Sequence, residues 1–112
     1  MLKVEQFYNK NQFLINNDGT IFLLSYGNTV AKLTPWGELT FGKDWDYSKT
    51  TLKHIYLFLT EYVVAYLGHY IGEGWHFLTQ HFDINKWIYG KNKRAFLQNL
   101  INEKVIDYKA DL

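Results

Sequence analysis

The sequence predicts an α+β protein: a short antiparallel β-meander in the N-terminal half packed on a long central helix, with further helices toward the C-terminal end. Two observations carry that prediction. Turn residues punctuate the first part of the chain at hairpin intervals, and after Trp45 the apolar residues fall into the three-and-four spacing of a helix face. A chain of 112 residues has the usual size of one domain, so 1–112 is read as a single unit, with the meander over about 12–45 and helices over 47–112.

The turns are Asn16-Asn17-Asp18-Gly19, Tyr26-Gly27-Asn28 and Pro35-Trp36-Gly37. Between them lie Gln12 to Ile15, Thr20 to Ser25, Thr29 to Leu33 and Glu38 to Phe41, short runs of β-branched, leucine and aromatic residues. Asp18-Gly19 is the sharpest signal, because a two-residue hairpin turn needs the positive φ that glycine adopts without steric penalty. The strands holding Phe13 and Phe22 are therefore expected to pair. So short a meander leaves a strand edge open, and a homodimer through such an edge is a further expectation.

The central helix is read from Leu52, Ile55, Tyr56, Leu59, Tyr62, Val63, Tyr66, Leu67 and Tyr70. Asp46 and Ser48 offer oxygens to cap its start, and Gly68, Gly72 and Gly74 supply the stop. Leu57, Phe58 and Val64 on its other side predict cover from more than one direction. Residues 73–89 are dense in aromatics without a clear period, which predicts a short helix or an irregular packed segment. Asn92 is placed to cap a last helix through Phe96, Leu97, Leu100, Ile101 and Val105, and the chain from Asp107 onward is expected to fray.

Composition bounds the function. A formal net charge of +1 rules out long-range attraction to a polyanion as the dominant feature, while leaving room for a local basic patch. The lack of cysteine removes thiolate catalysis, disulfides and cysteine zinc sites, and suits a reducing compartment. Charged residues interrupt the first fifteen positions before a signal-peptide core can form, and the apolar stretch Ile55 to Ile71 is short for a bilayer span. The expected location is the cytoplasm, without membrane contact. Arg94 is the single arginine, and the preference for Lys, Asn, Ile and Tyr suggests an AT-rich genome. Aromatics make up 19% of the chain, for which a core packed with large rings is the simpler reading, although four Trp and nine Tyr exceed what such a core needs and suit interface anchors.

Two strings stand out: Ser25-Tyr26-Gly27-Asn28-Thr29-Val30-Ala31 and Trp45-Asp46-Tyr47-Ser48-Lys49-Thr50-Thr51-Leu52-Lys53-His54. Over about Gln12 to Leu59 they resemble the "SYNTxVA … WDYSKTTxKH" pattern of small uncharacterised proteins from phages and prophages of low-GC Gram-positive bacteria. The resemblance implies a phage origin and action in the host cytoplasm, and it brings no activity or site with it. Gly27 and the chain beyond Leu59 depart from the pattern. Read from their own chemistry, Asp46, Ser48, Thr50 and Thr51 are residue types that satisfy a helix start.

The search for chemistry is mostly negative. His69, His76 and His81 cluster with Glu73, but spacings of seven and five lack the i, i+4 signature of a helical metal site, so neither metal nor cofactor is expected. His54 is expected to bond a capping residue or face solvent. Asp44 with Asp46, and Asp83 with Glu73, are carboxylate pairs with no motif around them, and the chain is read as no enzyme. The sharpest local feature is the basic aromatic run from Lys86 to Arg94. Its residues Lys86, Trp87, Tyr89, Lys91, Lys93 and Arg94 are candidates for binding a partner or nucleic acid, the cations for phosphates and the rings for bases. Cations at a helix start oppose the macrodipole, which an anionic partner would offset, although Lys91, Lys93 and Arg94 as solvated loop charges are the simpler reading. The functional expectation is a non-catalytic phage-encoded protein that binds and modulates a host protein, in concrete form an inhibitor of a host defence system of the anti-CRISPR type. The alternative is a nucleic-acid-binding accessory protein acting through residues 86–94.

Overall fold

The computed structural model describes residues 2–7, 10–64, 72–82, 87 and 92–112. It is α+β: a six-stranded, mostly antiparallel sheet and three described helices. The strands are β1 (Leu2–Gln6), β2 (Gln12–Asn17), β3 (Thr20–Ser25), β4 (Asn28–Leu33), β5 (Leu39–Phe41) and β6 (Asp107–Tyr108), adjacent in that order. The helices are α1 (Lys49–Tyr62), α2 (Glu73–Thr79) and α3 (Lys93–Asn102).

Turn chemistry sets the meander. Asp18 and Gly19 both have positive φ, 52° and 92°, the backbone of a two-residue turn whose twist matches its strands, and Asn17 accordingly faces Thr20. Tyr26 and Gly27 repeat the arrangement at φ 53° and 83° between Ser25 and Asn28. The Phe13 and Phe22 strands do pair, with Phe13 opposite Leu24 and Ile15 opposite Phe22. Between Leu23–Ala31 and Leu24–Thr29 the register shifts, so Val30 is the extra residue of a bulge and both it and Ala31 are buried.

The sheet is wider than the sequence suggests at both ends. The sequence reading begins the meander near residue 12, whereas β1 adds an edge strand over Leu2–Gln6. Its exposed Lys-Val-Glu-Gln pattern is polar enough to hide a strand and is also what keeps an open edge soluble. The C-terminal segment does not fray at Asp107. Asp107 and Tyr108 pair in parallel with Thr40 and Phe41, and Lys109 N–H donates to the Phe41 carbonyl at 3.0 Å. Two exposed residues in a non-local pairing leave no local signal.

Because residues in register share a face, the sheet separates into two rows. Leu14, Leu23, Ala31 and Phe41 lie in register on the inner side, and all are buried in the core with Ile55, Phe58 and Leu59 of α1. Val4, Ile15 and Phe22 run across the outer side, with Phe13 and Leu24 beside them; Val4 is exposed, the others are half-buried, and none joins the core cluster.

α1 begins at Ser48, which is extended at φ −149° and accepts Thr51 N–H on its hydroxyl at 3.1 Å. It is shorter than the apolar period through Tyr70 predicts: Val63 is the C-cap, with its N–H on the Leu59 carbonyl, and residues 65–71 lie outside those described. α2 lies against the β4–β5 turn, where Trp75 Nε1–H donates to the Pro35 carbonyl at 2.8 Å. α3 starts as predicted at Asn92, whose side chain accepts Ala95 N–H at 3.0 Å. Core residues from α2, α3 and Ile106 join the same cluster as the sheet and α1.

Candidate functional site

The β3–β4 turn and the start of α1 bring the two distinctive strings together. His54, 1% exposed, sits on the inner face of α1 with its Nδ1 2.7 Å from Ser25 Oγ. Ser25 O–H donates to Thr51 Oγ1 at 3.4 Å, Ser48 O–H reaches the same oxygen at 3.2 Å, and Gln12 Nε2–H donates to the His54 carbonyl at 3.1 Å. The Tyr26 ring stacks on the imidazole at 5.7 Å. Burial first, and the neighbouring Lys53 charge second, hold the His54 pKa below its ordinary value, so the ring is neutral at pH 7.

A proton on Nδ1 lets His54 donate to Ser25 and Ser25 donate in turn to Thr51. The imidazole lone pair then lies on Nε2, away from Ser25. That arrangement clasps the turn onto α1. Sequence reasoning expected His54 to bond a capping residue or face solvent, and missed its burial and its bond to Ser25. The signal was its spacing with Thr51, Ile55 and Phe58, the buried stripe of α1.

Over this clasp lies a pocket of about 220 Å³, lined by Ser25, Tyr26, Asn28, Asp44, Tyr47 and Thr51 together with Val30 and Ser48. Two tyrosines are exposed beside it, Tyr26 at 54% and Tyr47 at 80%, and Asp44 contributes a carboxylate. Pockets that enclose whole cofactors or drug-sized ligands run to roughly 300–1,000 Å³. This one is the size for a single side chain or a small group.

The predicted basic aromatic run divides. Lys86, Tyr89 and Lys91 lie outside the described residues. Trp87 is no stacking platform: it is 1% exposed, donates from Nε1 to Thr60 Oγ1 at 2.9 Å, and stacks on Tyr56 at 5.1 Å. A ring of that size gains more from the core than from a surface position. Lys93 and Arg94 open α3, where Lys93 Nζ stands 4.8 Å over the Tyr56 ring. Arg94 donates from Nε and Nη2 to Asp46 Oδ2 at 3.1 and 2.6 Å. Asp46 is thus the partner of Arg94, and Ser48 alone caps α1; an aspartate two positions before the cap serves a guanidinium from across the fold. Lys49 and Lys53, which the sequence did not single out, share a groove with Lys93 and Arg94. His69 lies outside the described residues, and among the described residues no group of three or more metal-ligating side chains is gathered. No described helix is long and apolar enough to cross a membrane.

Fold and site together define an α+β protein with a tyrosine-flanked surface pocket beside a buried Ser–His–Thr clasp. A family model matches residues 2–67, more than half of the chain, and the chain belongs to that family, a family of unknown function (DUF8033). The match contains β1 to β5, α1 and every residue lining the pocket, and stops before α2 and α3. Comparison with curated proteins and with solved structures finds no match.

Proposed function

We propose that this chain is a non-catalytic, phage-encoded protein that docks on a host protein in the host cytoplasm and modulates it, in concrete form as an inhibitor of a host defence system of the anti-CRISPR type. The observation that carries the docking is the pocket between Tyr26 and Tyr47. Exposed tyrosines give large contact area at low entropic cost and are frequent interface anchors. The pocket volume suits one partner side chain, and Asp44 among aromatic rings favours a basic one, by charge pairing and by cation–π attraction. The outer sheet row of Val4, Phe13, Ile15, Phe22 and Leu24 adds apolar area of the kind that marks protein contacts. Phage origin and the host-defence target rest on the resemblance of the two strings.

The test is a tagged pull-down from infected or defence-expressing host cells, nuclease-treated, run with the chain and with a Tyr26→Asn/Tyr47→Ala variant. Asn tolerates the positive φ at position 26, so the variant is expected to keep its melting temperature within a few degrees. A stoichiometric protein captured by the natural chain and lost from the variant supports the reading. Capture that is equal in both removes the pocket from it.

A further inference from the structure

Among the described residues the sheet ends at β1, where Lys3, Val4, Glu5 and Gln6 are all exposed, Val4 by 59%. In an antiparallel ladder alternate residues aim both backbone groups at the neighbouring strand, and the residues between them aim both away. Phe7 N–H donates to the Gln12 carbonyl at 2.8 Å, and the same register sets Glu5 opposite Leu14 and Lys3 opposite Asn16. Phe7, Glu5 and Lys3 therefore direct their backbone groups to β2, and Leu2, Val4 and Gln6 direct theirs to the outer edge. The opposite edge, β6, is only two residues long.

The side chains of β1 decide which strand can pair with those edge groups. Two copies of β1 related by a two-fold axis and centred on Val4 set Val4 against Val4, Leu2 against Gln6, and Lys3 of each copy against Glu5 of the other. Leu2, Val4 and Gln6 then exchange about six inter-chain hydrogen bonds, and each Lys3–Glu5 pair falls at a non-hydrogen-bonded position, where opposite side chains come closest. A slip of one residue would face edge-directed groups with groups already used by β2. A slip of two residues keeps the ladder but sets Lys3 against Lys3 or Glu5 against Glu5 on the axis, and like charges directly opposite are destabilising. The charges that hold foreign strands off this edge thus admit β1 itself, in one register.

Opposite residues of an antiparallel pair share a face, so the outer row of Val4, Ile15 and Phe22 continues across the axis into the same row of the second copy. We propose that β1 joins two copies of this chain edge to edge, antiparallel and centred on Val4, so that their sheets form one continuous sheet. The interface is isologous, each copy giving the same strand. Its small area makes the association weak, roughly micromolar. The residues lining the tyrosine-flanked pocket come from outside β1, so the proposal stands or falls without that pocket.

The experiment is sedimentation velocity on the full, untagged chain over roughly 5–300 µM, a range that brackets such an affinity. A monomer–dimer equilibrium is expected. Val4→Pro removes an edge donor without touching a bond to β2, and proline is tolerated on an edge strand, so this variant is expected to stay monomeric with a melting temperature near that of the natural chain. Lys3→Glu and Glu5→Lys each set like charges opposite one another at both pairs and are each expected to weaken self-association roughly tenfold or more. An equimolar mixture of these two variants opposes unlike charges again at both pairs and is expected to recover the dimer, which misfolded variants would not do. Tyr47→Ala is expected to dimerise as the natural chain does. A natural chain that stays monomeric at the highest concentration, a Val4→Pro variant that dimerises unchanged, or a mixture that stays monomeric overturns the proposal. Loss of the dimer in Tyr47→Ala overturns it in favour of association through the pocket.

Discussion

His54 shows how one residue can hold two segments together. Its side chain reaches Ser25 in β3, its carbonyl accepts from Gln12 in β2, and both neighbours are themselves buried. Replacing either hydrogen-bonding partner leaves a buried polar atom unsatisfied, which costs more than the bond contributes. The lowered pKa gives this clasp a pH signature. In the unfolded chain His54 titrates near 6.5, and in the folded one it titrates lower, so below pH 6.5 the unfolded state takes up more protons. Stability from this group is complete above pH 6.5 and falls as the pH drops through the folded pKa. Melting temperature measured from pH 7.5 down to 5 is expected to decline, and His54→Gln is expected to flatten the decline while lowering stability at pH 7.5. A variant that keeps the full slope would show that some other group sets it.

At the level of elements, the junction of α2 with the β4–β5 turn depends on a missing side chain. A Cβ on Gly74 would run into the Trp36 carbonyl, and that oxygen belongs to a turn also held by the Trp75 bond to Pro35. In an exposed helix Gly→Ala stabilises by up to about 1 kcal/mol. Here the obstacle is backbone, which cannot rotate away, and the sign reverses. Gly74→Ala is expected to cost about 1–3 kcal/mol by displacing α2 from the turn, read as a lower melting temperature. A gain in stability would mean that α2 is free to shift. The Asp18-Gly19 turn, by contrast, rests on conformation: Gly19 at φ 92° is the residue type its backbone requires.

For the whole molecule, Trp87 is a contact that joins α1 to the C-terminal part. It touches Tyr56 of α1, Phe82 after α2 and Phe96 of α3, with ring centroids 5.1 to 6.0 Å away, and bonds Thr60. Trp87→Ala is expected to cost about 3–5 kcal/mol, a large share of the roughly 5–15 kcal/mol that keeps a domain folded. Denaturant unfolding should show a much lower midpoint. An unchanged midpoint would place Trp87 outside the core and restore it as a surface ring.

Local chemistry determined much of this protein from sequence. The four strands from Gln12 to Phe41, their pairing through Asp18-Gly19, the Ser48 and Asn92 caps and the amphipathic start of α1 all follow from interactions within a few residues of each other. The tertiary structure decided what depends on distant neighbours. β1 and β6 exist because an edge was available to pair with, and Asp46 left its expected capping role because Arg94 approaches it from 48 residues away. Trp87 moved from candidate surface to core because aromatic neighbours surround it, and His54 became a buried clasp because Ser25 meets it across the fold. The tyrosine-flanked pocket joins segments remote in sequence, and no local pattern records which segments will meet.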